Sequence, residues 1–334
     1  MTTLYHKIVV TGATGFVGGR IVEGLQGYGA EVIATGRNTN RRAALEALGA
    51  RFVAIDLGDS QAVNALVGDA DLVIHCAALS SPWGTYAEFY RANVLATQYL
   101  RDASLAGNVK RFILISTPSV YFDFHDRINI GEAEPLPLKL VNHYAATKLM
   151  AEKMILESNL PAIALRPRAI IGRGDTVIMP RVLEAYHQNK LRIVGHGRNI
   201  VSVTPVSNVV HAVQLCMTAG DAALGRAYNI TSGEAVLLWE MIGDVLSGLN
   251  LPFQPKHMPY RVALTAAWAM EQYSRFISGK EPVLTQYSVG ILAKDMTLDI
   301  ALAKSILGYE PVQTAAEAIS EFIEWYKESM PCVI

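Results

Sequence analysis

Six short apolar, β-branched runs, separated by stretches long enough for helices, most constrain how this chain folds. They are KIVV (7–10), EVIAT (31–35), RFVAI (51–55), DLVIH (71–75), RFILIS (111–116) and AIALR (162–166). The runs are apolar throughout rather than alternating, as strands buried on both faces of a sheet must be. The stretches between them, notably 16–28, 60–67, 85–106 and 142–158, carry apolar residues at helical spacing. Strand–helix–strand order repeated in this way calls for an α/β fold with a doubly wound parallel sheet and right-handed crossovers. Such a sheet binds ligands at the carboxyl ends of its strands, so the loops after the strands are where chemistry is expected.

Beyond about residue 167 the pattern loosens. LRIVGHGRNIVSVTPV reads as an irregular strand pair, SNVVHAVQLCMTA as a helix and AYNIT as a strand, and helical segments fill most of 237–328. The expected division is a dinucleotide-binding domain over 1–167, with returns near 203–231, and a smaller interleaved substrate lobe over 168–334.

Of the 334 residues, 51% are hydrophobic and 18% charged, ample for a large core. A net charge of −1 with scattered Lys and Arg argues against a nucleic-acid partner. The 3 cysteines, Cys76, Cys216 and Cys332, lie far apart, which fits a reducing compartment without a disulfide framework. The start lacks the pattern of a signal peptide, and no apolar run reaches the roughly 18 residues of a membrane span. A cytoplasmic location is expected. The ending PCVI puts Cys332 third from the end, where prenylation needs it fourth. The 8 histidines show no paired metal spacing, so no metal is expected.

The first run leads straight into TGATGFVGGR, with Gly12, Gly15 and Gly18 in Rossmann spacing. The first glycine permits a tight turn, the second a close approach to a pyrophosphate, and the third close packing of helix on strand. After the second run an acidic residue would hold the ribose 2′-OH of NAD. This chain has ATGRNTNRR there, with Gly36 at the acid position and Arg37, Arg41 and Arg42 following. A guanidinium suits a 2′-phosphate through charge-assisted bidentate bonds, so NADP(H) is favoured over NAD(H). Arg20 lies where it could help from the other side, and Asp56 is offered to the adenine edge.

In NHYAATKLMAEK (142–153), Tyr144 and Lys148 share one helix face at i, i+4. A nearby ammonium favours the phenolate, which would bring the Tyr144 pKa nearer neutrality. In LISTPSVYF the fifth run ends in Ser116 and Thr117, placing a hydroxyl where a substrate carbonyl could be polarised.

T-G-x-x-G-x-x-G, S-T-x-x-V-Y and Y-x-x-x-K, in this order, resemble the extended short-chain dehydrogenases/reductases. The likeness takes in RANVLAT (91–97), ALRPRAIIGRGD and LGYEPVQTAAEAISEFIEWY, and so nearly the whole chain. It implies Tyr144 as general acid/base, Lys148 as its partner and a ligand of the nicotinamide ribose, and Thr117 in place of the usual serine. Ser116 is the second candidate for that hydroxyl, and Asn93 matches the asparagine that supports a proton relay. Cofactor contacts are implied at Thr14, Gly15, Phe16, Val17, Leu57, Ala77, Ala78, Pro167 and Ile170.

Pro118 and Ser119 stand where the dehydratases of this superfamily carry an acidic pair. Val201 and Ser202 stand where its sugar-nucleotide epimerases carry Arg-Asp. Regulators of the same fold tend to lose the tyrosine and lysine, which this chain keeps. AALSSPWGTYAEFYRANV, STPSV and GKEPVLTQYSVGIL (279–292) resemble the 3β-hydroxysteroid dehydrogenase branch, closest to bacterial 2-alkyl-3-oxoalkanoate reductases. That implies a small hydrophobic ketone or alcohol as substrate. Ser80, Trp83, Met179 and Arg168 are its candidate contacts, Arg168 either toward a substrate carboxylate or in an internal salt bridge. An epimerase with tightly bound NAD and a non-catalytic NADP-binding regulator are the alternatives. The resemblance also implies a homodimer through 85–106 and 142–158, with Tyr99, Leu100 and Met150 as apolar contacts. The stretch 260–277 suits a lid over the pocket or a peripheral membrane contact. Trp239, Trp268 and Trp325 read as core.

Overall fold

A computed structural model describes residues 4–329, so the PCVI ending with Cys332 lies outside the described residues. β1 (Lys7–Thr11) turns through Gly12 into α1 (Phe16–Gly24), and β2 (Glu31–Thr35), α2 (Arg42–Ala47), β3 (Arg51–Val53), α3 (Ser60–Val67) and β4 (Leu72–His75) follow. α4 (Tyr86–Phe89) passes through a wide π turn (Tyr90–Leu95) into α5 (Ala96–Ala106). Next come β5 (Arg111–Ile115), a 3-10 turn (Pro118–Tyr121), β6 (Arg127–Ile130), α6 (His143–Leu156) and β7 (Ala162–Pro167). The remainder is β8 (Ile170–Ile171), α7 (Met179–His187), β9 (Arg192–Val194), β10 (Ile200–Ser202), β11 (Thr204–Pro205), α8 (Val206–Thr218) and β12 (Arg226–Ile230). It continues with β13 (Ala235–Leu237), α9 (Leu238–Gly248), β14 (Lys256–Met258), α10 (Tyr260–Tyr273), α11 (Gln286–Ala293), β15 (Met296–Leu298) and α12 (Ala315–Ser329).

Seven strands form one parallel sheet in the order β12–β7–β5–β4–β1–β2–β3. The order reverses between β1 and β4, the switch point where a doubly wound sheet opens its ligand crevice. Successive residues along each strand point to opposite faces. Ile8, Val10, Ile74 and Ile113 therefore pack under α1 and α8 with Ile21, Val209 and Val213. Val9, Val73, Phe112 and Leu114 pack on the other face with Val63, Leu66, Leu100 and Ile155. The chain returns to this domain with α8 and β12, and again with Ile300, Ala303, Leu307 and Tyr309, which join the first face.

The second lobe is built on a four-stranded sheet, β13–β10–β15–β6. Its pairings differ from those the sequence pattern predicts. β9 and β10 do not pair with each other: β9 pairs with β14, and β10 with β13 and β15. β6 was not expected at all, because its partner β15 lies far along the chain. The helix read over 85–106 is interrupted by the π turn, which carries Asn93. Leu100 is fully buried rather than a surface contact, and Trp268 is exposed rather than core. No helix among the described residues is long and apolar enough to cross a membrane.

Candidate active site

The loops after β1, β2, β3 and β4 enclose a cleft of about 540 Å³ lined by Gly12, Thr14, Gly15, Gly36, Arg37 and Asp56, with Leu57 and Ala77–Leu79. Gly12 has φ +68°, and a Cβ there would lie 2.6 Å from the Ala77 nitrogen, so the two loops touch only because it is glycine. A Cβ on Gly18 would meet the Gly12 carbonyl at 2.3 Å, which brings α1 hard against β1. Gly15 caps α1 without any side-chain hydrogen bond, leaving the first N–H groups open to an anion. Val17 packs into the core, and Phe16 lies against Gly174. These features fit a dinucleotide.

At the ribose end, a Cβ on Gly36 would sit 2.4 Å from the Thr14 hydroxyl. Thr14 thus fills the space an acidic side chain at 36 would need. Arg37 is exposed on the cleft wall and forms no ion pair among the described residues. Arg41 is likewise exposed, whereas Arg42 and Arg20 are committed elsewhere. Arg42 pairs with Glu46 and lies 5.0 Å over the Phe52 ring, and Arg20 pairs with Glu23 and Glu321. Arg20 ties α1 to α12 and does not serve the cleft. Asp56 accepts from Arg91 at 3.1 Å and from the Gly58 N–H at 3.0 Å.

Ser116 and Thr117 diverge, as neighbours on an extended chain do. The Ser116 hydroxyl donates to Glu152 at 2.6 Å in the interior, where Glu152 also binds Arg166, so Ser116 is a support and not the second polarising hydroxyl. Thr117 faces Tyr144, and so does Ser80 from the loop after β4; both favour the Tyr144 phenolate. Burial outweighs them, and the Tyr144 pKa is raised above its usual value of 10. This reverses the sign expected from the Tyr–Lys spacing. Lys148 donates instead to the Ile115 carbonyl at 2.6 Å, and burial lowers its own pKa to about 8 against the pull of Glu152 and Cys76. The Asn93 amide accepts from the Leu79 N–H at 2.7 Å and donates to Thr147 at 3.1 Å. It therefore clamps the loop that carries Ser80 onto α6.

Pro167 ends β7 in the core, and Ile170 follows in β8, half-buried. Arg168 stands between them. Its Nε donates to the Met296 carbonyl at 3.1 Å, burial lowers its pKa to about 10, and no carboxylate among the described residues pairs with it. The internal salt bridge is ruled out among those residues. Met179 is 1% exposed, within the second-lobe core beside Ile171 and Leu183, and is not a surface for substrate. Trp83 is half-buried, its backbone N–H donating to the Ser81 hydroxyl at 3.1 Å.

Three polar residues near this centre were not singled out as site residues from the sequence. Ser119 lies 3.0 Å from Thr117, and Tyr287 of α11 lies 2.9 Å from Ser119. Glu152 could have been found, since it continues the i, i+4 series of Tyr144 and Lys148. Tyr287 carried no local signal.

The model of the NAD dependent epimerase/dehydratase family matches residues 8–231. The chain is 37% identical over 332 residues to the uncharacterized protein YbjS of Escherichia coli, covering 96% of this chain and 98% of that one. It is 33% identical to a 2-alkyl-3-oxoalkanoate reductase of Stenotrophomonas maltophilia, covering 94% and 97%. It is 30% identical to the sterol-4-alpha-carboxylate 3-dehydrogenase, decarboxylating, of Mus musculus, covering 95% and 90%. Among solved structures, the UDP-glucuronic acid 4-epimerase of Bacillus cereus in complex with NAD superposes with a TM-score of 0.75. That match, at 21% identity over 96% and 99% of the two chains, speaks to the fold alone. The chain belongs to the NAD dependent epimerase/dehydratase family, and is an NAD(P)-dependent oxidoreductase of the extended short-chain dehydrogenase/reductase type.

Proposed function

We propose that this enzyme interconverts a secondary alcohol and a ketone on a hydrophobic substrate that bears a carboxylate on the carbon next to the reacting one, with NADP(H) as cofactor. The observation that carries the substrate class is the half-buried Arg168 guanidinium, desolvated and without a carboxylate partner among the described residues, close to the Tyr144–Thr117 centre through Tyr287. A partly desolvated charge without a partner is costly, and an anionic substrate would relieve that cost. The reductase and dehydrogenase relatives act, by their names, on a 3-oxoalkanoate and a sterol 4-carboxylate. Both compounds set a carboxylate one carbon from the carbon that reacts.

NADPH, when bound, supplies the hydride for the carbonyl carbon. Thr117 and Tyr144 hold the carbonyl oxygen, and Tyr144 gives it the proton that completes the alcohol. Lys148 offers its ammonium to the cofactor ribose. Asn93 orders the loop bearing Ser80, and Arg168 fixes the carboxylate. Arg37 and the absence of room for an acid at 36 support NADPH over NADH.

The test follows NADPH formation from a 2-alkyl-3-hydroxy acid, its methyl ester and NADP⁺, with NAD⁺ as control. The wild type should prefer the free acid by at least about tenfold, which is roughly 1.4 kcal/mol. Arg168→Met should erase that preference and Tyr144→Phe should abolish turnover. Cofactor binding without net turnover on any alcohol or ketone would sink the reading.

A further inference from the structure

We infer that Tyr287, contributed by the second lobe, is a positioning residue that aims the Thr117 hydroxyl at the substrate oxygen through Ser119. This rests on the reductase reading above and adds a residue to its machinery.

A hydroxyl has one hydrogen to give and two lone pairs to receive. Thr117 already accepts the Ser119 N–H at 3.2 Å. The Thr117 hydroxyl donates to the Ser119 hydroxyl at 3.0 Å, and in that orientation it has no hydrogen for a carbonyl oxygen. It is free to donate only when Ser119 donates to it, and Ser119 then needs a donor of its own. Tyr287 is that donor, 2.9 Å away. A phenol is a stronger donor than an alkyl alcohol, so Tyr287 can turn the Thr117–Ser119 bond round when a carbonyl oxygen competes for the Thr117 hydrogen, and the chain then runs Tyr287 to Ser119 to Thr117 to substrate. Each donation polarises the next hydroxyl, and so strengthens the last one.

The ring of Tyr287 is fixed for this task. It stands edge-on to Phe122, with centroids 5.8 Å apart, in the cluster of Val120, Tyr121 and Phe122 that follows Thr117. Gly290, one turn along α11, lets the helix approach this segment. A Cβ there would fall 2.7 Å from the Phe122 ring. At the helix start, Gln286 is anchored by Glu271 of α10 through its N–H at 2.7 Å and its side chain at 2.6 Å.

The experiment is a double-mutant cycle on the full-length enzyme with a 2-alkyl-3-hydroxy acid and NADP⁺. Tyr287→Phe removes only the hydroxyl, and should lower kcat about tenfold with little change in KM. Thr117→Val should lower kcat by about a hundredfold, the scale for losing one oxyanion donor. In the Thr117→Val background, Tyr287→Phe should have no further effect, because its action passes through that hydroxyl. NADPH binding should match the wild type in each variant, and thermal unfolding should do so in Tyr287→Phe. Losses that multiply in the double mutant, or wild-type kcat in Tyr287→Phe, would overturn the assignment. Should Tyr287→Phe fail to fold, Ser119→Ala decides by the same cycle, and Ser119→Thr should rescue it by restoring a hydroxyl. A wild type without turnover would fault the reductase reading instead, so the two failures are distinguishable.

Discussion

Lys148 is 3% exposed, and burial holds its pKa near 8 against a usual 10.5. Below pH 8 the folded protein therefore carries a buried ammonium that is better solvated in the unfolded chain. The displacement corresponds to roughly 3 kcal/mol of lost stability at pH 7, less the hydrogen bond to Ile115. Between the folded pKa near 8 and the unfolded 10.5, the unfolded chain holds the extra proton, so this cost fades as the pH rises. Lys148→Met should thus unfold at a higher temperature than the wild type at pH 7, by about 3 °C, and lose that advantage by pH 10. Its turnover should fall sharply at both values. A variant less stable than the wild type at pH 7, in a thermal melt, would count against this account. Thr117 and Ser116 show how far residue-level reading reaches. The sequence placed two hydroxyls at the end of β5, and strand alternation meant that one would face the cleft and the other the interior. Which one did so depended on Glu152 and Arg166 lying beneath Ser116.

At the scale of elements, the site joins the carboxyl edge of the first sheet to α11 of the second lobe. The edge was legible because every part of it is local: a strand, a glycine turn, an uncapped helix, and a tyrosine and lysine one turn apart. The α11 contribution was not legible. Tyr287 lies 168 residues from Ser119 in the chain, and the two segments meet only in the tertiary fold, through the pairing of β15 with β6 and the packing of α11 on Phe122. That pairing rests on short strands without a periodic signature. The same geometry makes Gly290 a point of failure. Gly290→Ala would drive a methyl into the Phe122 ring and push α11 away from Ser119. The expected result is a stability loss of about 1–3 kcal/mol, the usual range for overpacking, together with the kcat loss of Tyr287→Phe. Phe122→Leu in the same chain makes room and should return much of both. Full activity in Gly290→Ala alone would show that α11 does not set the position of Thr117.

On the scale of the whole molecule, two apolar surfaces stay exposed, and they differ in construction. The first spans α4 and α6, where Tyr86 (46% exposed) touches Met150 (40%) at 3.7 Å and lies edge-on to His143 at 5.6 Å. These side chains are already ordered by one another, which lowers the entropy lost when a second surface covers them. The second runs along α10 and the turn after it, with Trp268, Tyr273, Phe276 (77%) and Ile277 (72%) beside Arg275 and Lys280. That surface is less ordered by mutual contact, more exposed, and edged with cations, a mixture suited to the boundary of an anionic bilayer. A homodimer is expected through the first face and a reversible membrane contact through the second. Light scattering should give twice the chain mass for the wild type, and Tyr86→Glu with Met150→Glu should reduce it to the mass of one chain while NADPH binding persists. Phe276→Glu with Ile277→Glu should leave the dimer intact and remove salt-sensitive sedimentation with phosphatidylserine vesicles. If the α10 pair breaks the dimer instead, that face is the subunit contact rather than a surface for lipid.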